Sequence, residues 1–316
     1  MNYVLGVDLG GTKISCALAD LKGNIVGKNE TPTNANDGEM AVLNNIINLI
    51  NVVLKDTNKT IDDIRAIGIG APGPLNSEKG IIVEPSNLPF KNFDLITPLK
   101  EKFNTKIYLD NDANVATIGE YMLGAGIGTS NMIYYTVSTG VGGGAIINGK
   151  VFRGRTSNAL ELGHTTIDPT STIRCNCGNK GCLEAFSSGT AIAKRAKEAV
   201  NSNVETSLRN YENLTSYEVF KEADNGDKVS MEIRDTAFEY LGVAIANTIS
   251  IFDPDMIVIG GGVSKVGKVM FDKVKEVVND RGLKTMTEGC AIVPAKLGTE
   301  AGVVGAVALA ILESNN

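Results

Sequence analysis

Apolar residues in this chain recur with two periods, and the switches between them mark out its elements. Residues 3–7 form a short apolar run, Asp8-Leu-Gly-Gly-Thr-Lys13 interrupts it, and residues 14–18 resume it as a returning strand. The plan repeats 130 residues later: 133–137 runs into Ser138-Thr-Gly-Val-Gly-Gly-Gly144, and 145–148 returns. Residues 255–260 read as a buried strand leading into Gly260-Gly-Gly262 and a helix over 266–279. Leu43, Ile46, Ile47, Ile50, Val53 and Leu54 recur at helical spacing and predict an amphipathic helix over 37–55. A strand over 66–70 ends in Ala71-Pro-Gly-Pro-Leu-Asn76, and a later loop carries Pro85-Ser-Asn87. The apolar strand begun by Lys106 ends in Asp110-Asn-Asp112, before a helix over 113–123. Further helices are expected over 187–200, 217–223, 228–252 and 299–312, and polar residues 201–215 predict a surface loop.

Composition narrows the class. The 316 residues are 43% hydrophobic and 21% charged, which suits a soluble chain large enough for two domains. Lys plus Arg total 30 against 36 for Asp plus Glu, and a net charge of -6 argues against a nucleic-acid surface. The longest apolar run, 303–312, contains Gly305 and is too short to span a bilayer. With no basic, cleavable leader at Met1, no membrane association and a cytoplasmic location are expected.

The glycine turns suggest an anion. Glycines let backbone N–H groups approach a ligand, and Thr12 and Lys13 add a hydroxyl and a cation beside Gly10 and Gly11, so phosphate is the natural guest. Asp8, at the strand end, suits Mg(II) through its water shell. Taken alone, the first turn fits a plain hairpin with a glycine bulge equally well. Its repetition at Thr139, Gly140 and Gly142 points to an internally duplicated α/β fold holding one polyphosphate through two hairpins. Neither turn leads into an amphipathic helix, which excludes dinucleotide-binding and P-loop geometry. Gly262-Val-Ser-Lys-Val-Gly-Lys268 has P-loop spacing, yet Val269 stands where a Mg(II)-binding hydroxyl is needed. Gly261 and Gly262 read instead as a platform for a nucleotide's adenosine part.

Asp112 falls at a predicted helix start, where the helix dipole favours an ionised carboxylate, as a general base requires. Capping of the helix by Asn or Asp is the competing explanation. His164 is the only histidine, and Cys175, Cys177 and Cys182 follow within eighteen residues. Cys3His is a donor set for structural Zn(II). The alternative is ordinary buried thiols; disulfides are disfavoured in a reducing compartment.

Together, Asp8-Leu-Gly-Gly-Thr-Lys13, Leu109-Asp-Asn-Asp-Ala-Asn114, Thr139-Gly-Val-Gly-Gly-Gly144, Glu161-Leu-Gly-His164 and Cys175-x-Cys-Gly-x-x-Gly-Cys-Leu-Glu184 resemble the ROK family of sugar kinases and repressors. The resemblance implies an actin-like, hexokinase-like (ribonuclease H-like) duplicated fold, with two domains closing over a cleft. Its expected domains are 1–118 plus 300–316, and 119–299. It implies ATP on the two hairpins and Asp112 as the base that deprotonates a sugar hydroxyl. Asn111, Glu161, His164 and Glu184 then match sugar-contacting positions, with Gly73 and Asn87 as additions. The expected reaction is ATP-dependent phosphorylation of a hexose 6-hydroxyl, glucose first, by a homodimer. Fructose, N-acetylmannosamine and N-acetylglucosamine are alternative acceptors, and an idle sugar-sensing regulator is the non-enzyme alternative.

Overall fold

The computed structural model describes residues 1–85, 87–202 and 204–315. It divides into two compact units, Met1–Gly128 with Gly144–Ala159 and Lys296–Asn316, and Thr129–Gly143 with Leu160–Ala295. In the first unit β1 (Tyr3–Leu9), β2 (Lys13–Asp20) and β3 (Ile25–Pro32) form an antiparallel meander. After α1 (Glu39–Asp56), β4 (Ile64–Ala71) returns parallel to β1. Three short strands, β5 (Leu75–Asn76), β6 (Ile81–Ile82) and β7 (Phe93–Asp94), make a small separate sheet. Then come α2 (Ile96–Phe103), β8 (Lys106–Asn111) parallel to β4, and α3 (Asp112–Leu123).

The chain continues through β9 (Met132–Val137), β10 (Val141–Ile147) and β11 (Lys150–Val151). Next are α4 (Glu184–Ser187), α5 (Gly189–Asn201), α6 (Ser216–Asp224) and α7 (Lys228–Phe252). β12 (Met256–Gly260), α8 (Lys268–Arg281), α9 (Lys284–Thr287), β13 (Ala291–Pro294) and α10 (Ala301–Ser314) complete it. The two large sheets run β3-β2-β1-β4-β8 and β11-β10-β9-β12-β13. Counted within each sheet, both orders read third, second, first, fourth, fifth. The duplication suggested by the paired glycine turns is thus present in the strand order.

Side-chain alternation along the strands serves two cores. Leu5, Val7, Ile14 and Ile67 pack with Leu43, Ile46, Ile50 and Val53 of α1. Val4, Ala17, Ala19 and Ala66 pack with Val303, Val307 and Ala310 of α10. α10 also meets α3, through Ala306 and Leu309 against Val115 and Ile118. Its close seat depends on strand glycines: a Cβ on Gly6 would lie 2.4 Å from the Val307 nitrogen, and one on Gly68 2.1 Å from the Ala306 carbonyl.

Three local features differ from expectation. β3 was not foreseen, because Ile25 and Val26 are exposed and the rest of this edge strand is mostly polar. The helix expected over 187–200 is split at Ser188, whose backbone is extended (φ −71°, ψ 156°) and whose hydroxyl accepts from Ala191 N at 3.1 Å to cap α5. Of the loop expected over 201–215, residue 203 lies outside the described residues; 204–215 are more than a surface loop, because Ser207–Asn210 form a 3-10 turn that buries Leu208. Asp227 accepts from Thr206 Oγ1 at 2.9 Å and Ser207 N at 3.1 Å, so the polar residues here are anchors. Among the described residues, no helix is long and apolar enough to cross a membrane.

Candidate active site

The first glycine turn joins β1 to β2. Gly10 N donates to the Lys13 carbonyl at 3.0 Å, while buried Thr33 braces the turn from the end of β3. Its hydroxyl donates to the Gly10 carbonyl at 2.6 Å, and its N–H donates to the Thr12 carbonyl at 2.9 Å. Thr12 is exposed, and exposed Lys13 pairs with Glu30 at 2.8 Å, a contact of small net worth that an anion can compete for. Asn87 packs on the turn: a Cβ on Gly11 would come within 2.8 Å of its carbonyl and 3.0 Å of its Nδ2. Asp8, half-buried at the end of β1, faces the first turn of α10, where a Cβ on Gly302 would meet its Oδ2 at 2.3 Å. Burial raises the Asp8 carboxyl above its ordinary value, with Lys13 and Lys28 pulling the other way. A cation there would relieve that burial.

β8 delivers Asp110, Asn111 and Asp112 to the start of α3, and the three do different work. Asp110 is fully buried and bound on both oxygens: Oδ2 takes Arg153 Nε at 2.6 Å, and Oδ1 takes Asn111 N at 2.8 Å and Asn114 Nδ2 at 2.9 Å. Asn111 caps α3, its Oδ1 accepting from Ala113 N at 2.9 Å. Its amide also lies over Gly73, where a Cβ would be 2.9 Å from Asn111 Nδ2. Asp112 is the first helical residue, exposed, and its Oδ1 accepts from Ala113 N at 2.8 Å. The fold therefore places Gly73, Asn111 and Asp112 together and consumes Asp110 as structure.

In the second unit the turn between β9 and β10 closes with Ser138 N donating to the Gly140 carbonyl at 2.8 Å. The start of α5 lies against it, Gly189 N donating to the Ser138 carbonyl at 2.7 Å and Thr190 Oγ1 donating to the Thr139 carbonyl. Gly261, at φ 91°, is pressed onto Val137, where a Cβ would be 2.3 Å from the carbonyl oxygen, so only glycine fits. A Cβ on Gly262 would stand 3.6 Å from Ser138 Oγ. Thr139, Gly140, Gly261 and Gly262 are thus gathered around one corner, while half-buried Gly142 continues into β10.

Next to this corner, one donor atom each from His164, Cys175, Cys177 and Cys182 lie within 4.8 Å of one another. Cys175 Sγ is 3.6 Å from His164 Nδ1, and Cys177 Sγ is 3.7 Å from Cys182 Sγ. Zn–S bonds of about 2.3 Å and a Zn–N bond of about 2.0 to 2.1 Å give tetrahedral edges of roughly 3.6 to 3.8 Å, so the four could hold zinc. Burial pushes the Cys175 thiol up to about 12, whereas the Asn179 N–H draws Cys177 down. The cluster holds its thiols close together, and a dication would make them thiolates. Glu184, two residues beyond Cys182, links the cluster to the glycine turn: Oε1 is 3.5 Å from Cys175 Sγ, and Oε2 accepts from Val141 N at 2.9 Å. Glu161, exposed, precedes the short 3-10 turn Leu162–His164, and its carbonyl accepts from His164 N at 3.0 Å.

Sequence reading missed Thr33, Arg153, Asn158 and Thr190. Asn158 brings its Oδ1 within 3.9 Å of a Cβ placed on Gly73. None carries a local motif, and each takes its place through a partner far along the chain.

The pattern of the ROK family matches residues 4–313. A glucokinase from Halalkalibacterium halodurans is 39% identical over 307 residues, covering 96% of this chain and 93% of its own. A xylose repressor from Caldicellulosiruptor bescii is 34% identical over 98% of this chain and 78% of its own. Among solved structures, a ROK family glucokinase from Streptomyces griseus in complex with glucose and AMPPNP superposes with a TM-score of 0.76, at 29% identity over 98% of this chain and 99% of its own.

Proposed function

Because the chain belongs to the ROK family, we propose that it is an ATP-dependent glucokinase, moving the γ-phosphoryl group of ATP to the 6-hydroxyl of glucose. The observation that carries the reading is the β8–α3 junction. There Asp110 is spent on Arg153, while Asp112 stands exposed at a helix start with Asn111 and Gly73 beside it. Asp112 takes the proton as the sugar oxygen attacks phosphorus, and the adjoining helix N-terminus favours a negative side chain at that position. Gly73, Asn87, Asn111, Glu161, His164 and Glu184 are the sugar-contacting residues of this reading. Each unmade hydrogen bond to a wrong stereoisomer leaves a buried polar group unpaired at roughly 1 to 3 kcal/mol, which is how such a set selects one hexose.

The nucleotide's phosphates are assigned to Gly10, Gly11, Thr12 and Lys13 and to Thr139, Gly140 and Gly142, and its adenosine part to Gly261 and Gly262. Mg(II) belongs at Asp8, and when bound it neutralises phosphate charge. Zn(II) belongs at His164, Cys175, Cys177 and Cys182, where it rigidifies the loops carrying Glu184 and His164 and takes no part in bond making. This reading places the chain in the reducing, ATP-containing cytoplasm and as a homodimer, the latter on family resemblance and testable by light scattering. The test of the activity is ADP release over a sugar panel: glucose should be the best acceptor, and no turnover with any hexose or N-acetylhexosamine would end the reading. A second reading, a sugar-binding regulator, has the xylose repressor relative in its favour. Tight sugar binding without ADP release would select it.

A further inference from the structure

We infer that Arg153 is a positioning residue for phosphoryl transfer, fixing buried Asp110 and through it the junction that presents Asp112. The inference rests on the kinase reading above. Arg153 follows β11 and reaches two carboxylates at once, donating from Nε to Asp110 Oδ2 at 2.6 Å and from Nη2 to Glu313 Oε1 at 2.7 Å. Asp110 has no exposed surface, so its charge needs a partner inside the protein. Those two carboxylates raise the Arg153 guanidinium pKa although its burial works to lower it.

The other Asp110 oxygen accepts the Asn111 N–H and the Asn114 amide, and Asn111 caps the helix whose first residue is Asp112. A continuous set of hydrogen bonds thus runs from Arg153 to the base within the first unit, although Arg153 lies forty-one residues beyond Asp112 in the chain. Without the guanidinium, Asp110 must either take a proton or turn toward water. Both outcomes loosen its hold on the Asn111 N–H and let the junction drift. Transfer rates depend steeply on such placement, a shift of about 1 Å costing on the order of 100-fold. A lysine could neutralise Asp110, but it lacks the planar fork that serves Asp110 and Glu313 together.

A cavity of about 400 Å³, lined by Arg153, Glu313 and Tyr108 among others, opens beside the guanidinium and leaves Arg153 29% exposed. A small cation can therefore reach the position that a shortened side chain would vacate.

The experiment compares the full-length wild type with Arg153→Met and Arg153→Lys, measuring kcat, both KM values, thermal melting and the response to added guanidinium ion. Wild-type turnover of glucose is established first; if there is none, the kinase reading itself fails and this inference falls with it. With an active wild type, Arg153→Met should lose kcat by on the order of 100-fold with both KM values within a few-fold. Arg153→Lys should be intermediate, and guanidinium should restore part of the methionine variant's kcat. An unchanged kcat in a folded Arg153→Met protein overturns the inference, as does a loss of kcat that guanidinium leaves untouched. If Arg153→Met does not fold, Arg153→Lys decides: a several-fold drop in kcat at constant KM supports the role, and wild-type kcat refutes it.

Discussion

Asp110 is buried and committed to Arg153, Asn111 and Asn114, whereas Asp112 is exposed at the helix start, so the proposed role of base falls to Asp112. Asp112→Asn should therefore lower kcat by roughly 100- to 10,000-fold, the usual worth of a positioned base, while glucose affinity by calorimetry and the melting temperature stay near wild type. Asp8 gives a prediction for stability as well as for rate. Its carboxyl is raised by burial, so folding favours the protonated form. That stabilisation is complete below the ordinary carboxylate pKa and is lost as pH rises through the raised folded value. At neutral pH the ionised group therefore opposes folding of the ligand-free protein. Asp8→Asn should raise the melting temperature at pH 7, lose that advantage near pH 3.8 and below, and abolish most activity. A lower melting temperature at pH 7 would contradict this reading of Asp8. Asp8, Asp112 and the three cysteines could be singled out in the sequence as candidates because their residue types suggest a chemistry, and folding gathers the cysteines with His164. Arg153 and Thr190 could not, since a lone Arg or Thr acquires meaning only from the carboxylate or carbonyl that folding brings to it.

Among the elements, the segment from Leu162–His164 to α4 does most to join chemistry to scaffold. Glu184 touches both the thiol cluster and Val141 N–H, so disturbing the cluster should reach the second glycine turn. Metal analysis should find one zinc per chain, and a content far below that would refute the assignment. Removal by a chelator, or Cys182→Ser, should lower the melting temperature and raise KM for both glucose and ATP. Gly140→Ala offers a narrower check: its Cβ would sit 2.5 Å from Glu184 Oε2 and displace the strut. The expected result is KM for ATP rising about tenfold, equal to about 1.4 kcal/mol, with zinc content unchanged. Apolar patterning located α1 and α7 by their buried stripes, and β4 and β8 as short, mostly buried apolar runs. It failed for β3, an exposed edge, and at the Ser188 break, where one capping hydroxyl outweighs a helical pattern on both sides.

For the whole molecule, the repeated strand order of the two sheets is what two matching glycine turns in the sequence foretold. The chain belongs to the ROK family, which supports the proposal that those turns hold a nucleotide. The sugar's identity was the least legible part, because glucose and its epimers differ at single stereocentres that loop geometry reads while residue type stays the same. The central claim is that Asp112 activates the glucose 6-hydroxyl toward ATP. The most direct measurement is glucose 6-phosphate formation by zinc-loaded wild type and by Asp112→Asn, assayed side by side with glucose binding by calorimetry on both proteins. The account predicts turnover by the wild type, almost none by the variant, and comparable glucose binding by both; an Asp112→Asn protein that phosphorylates glucose at the wild-type rate would contradict it.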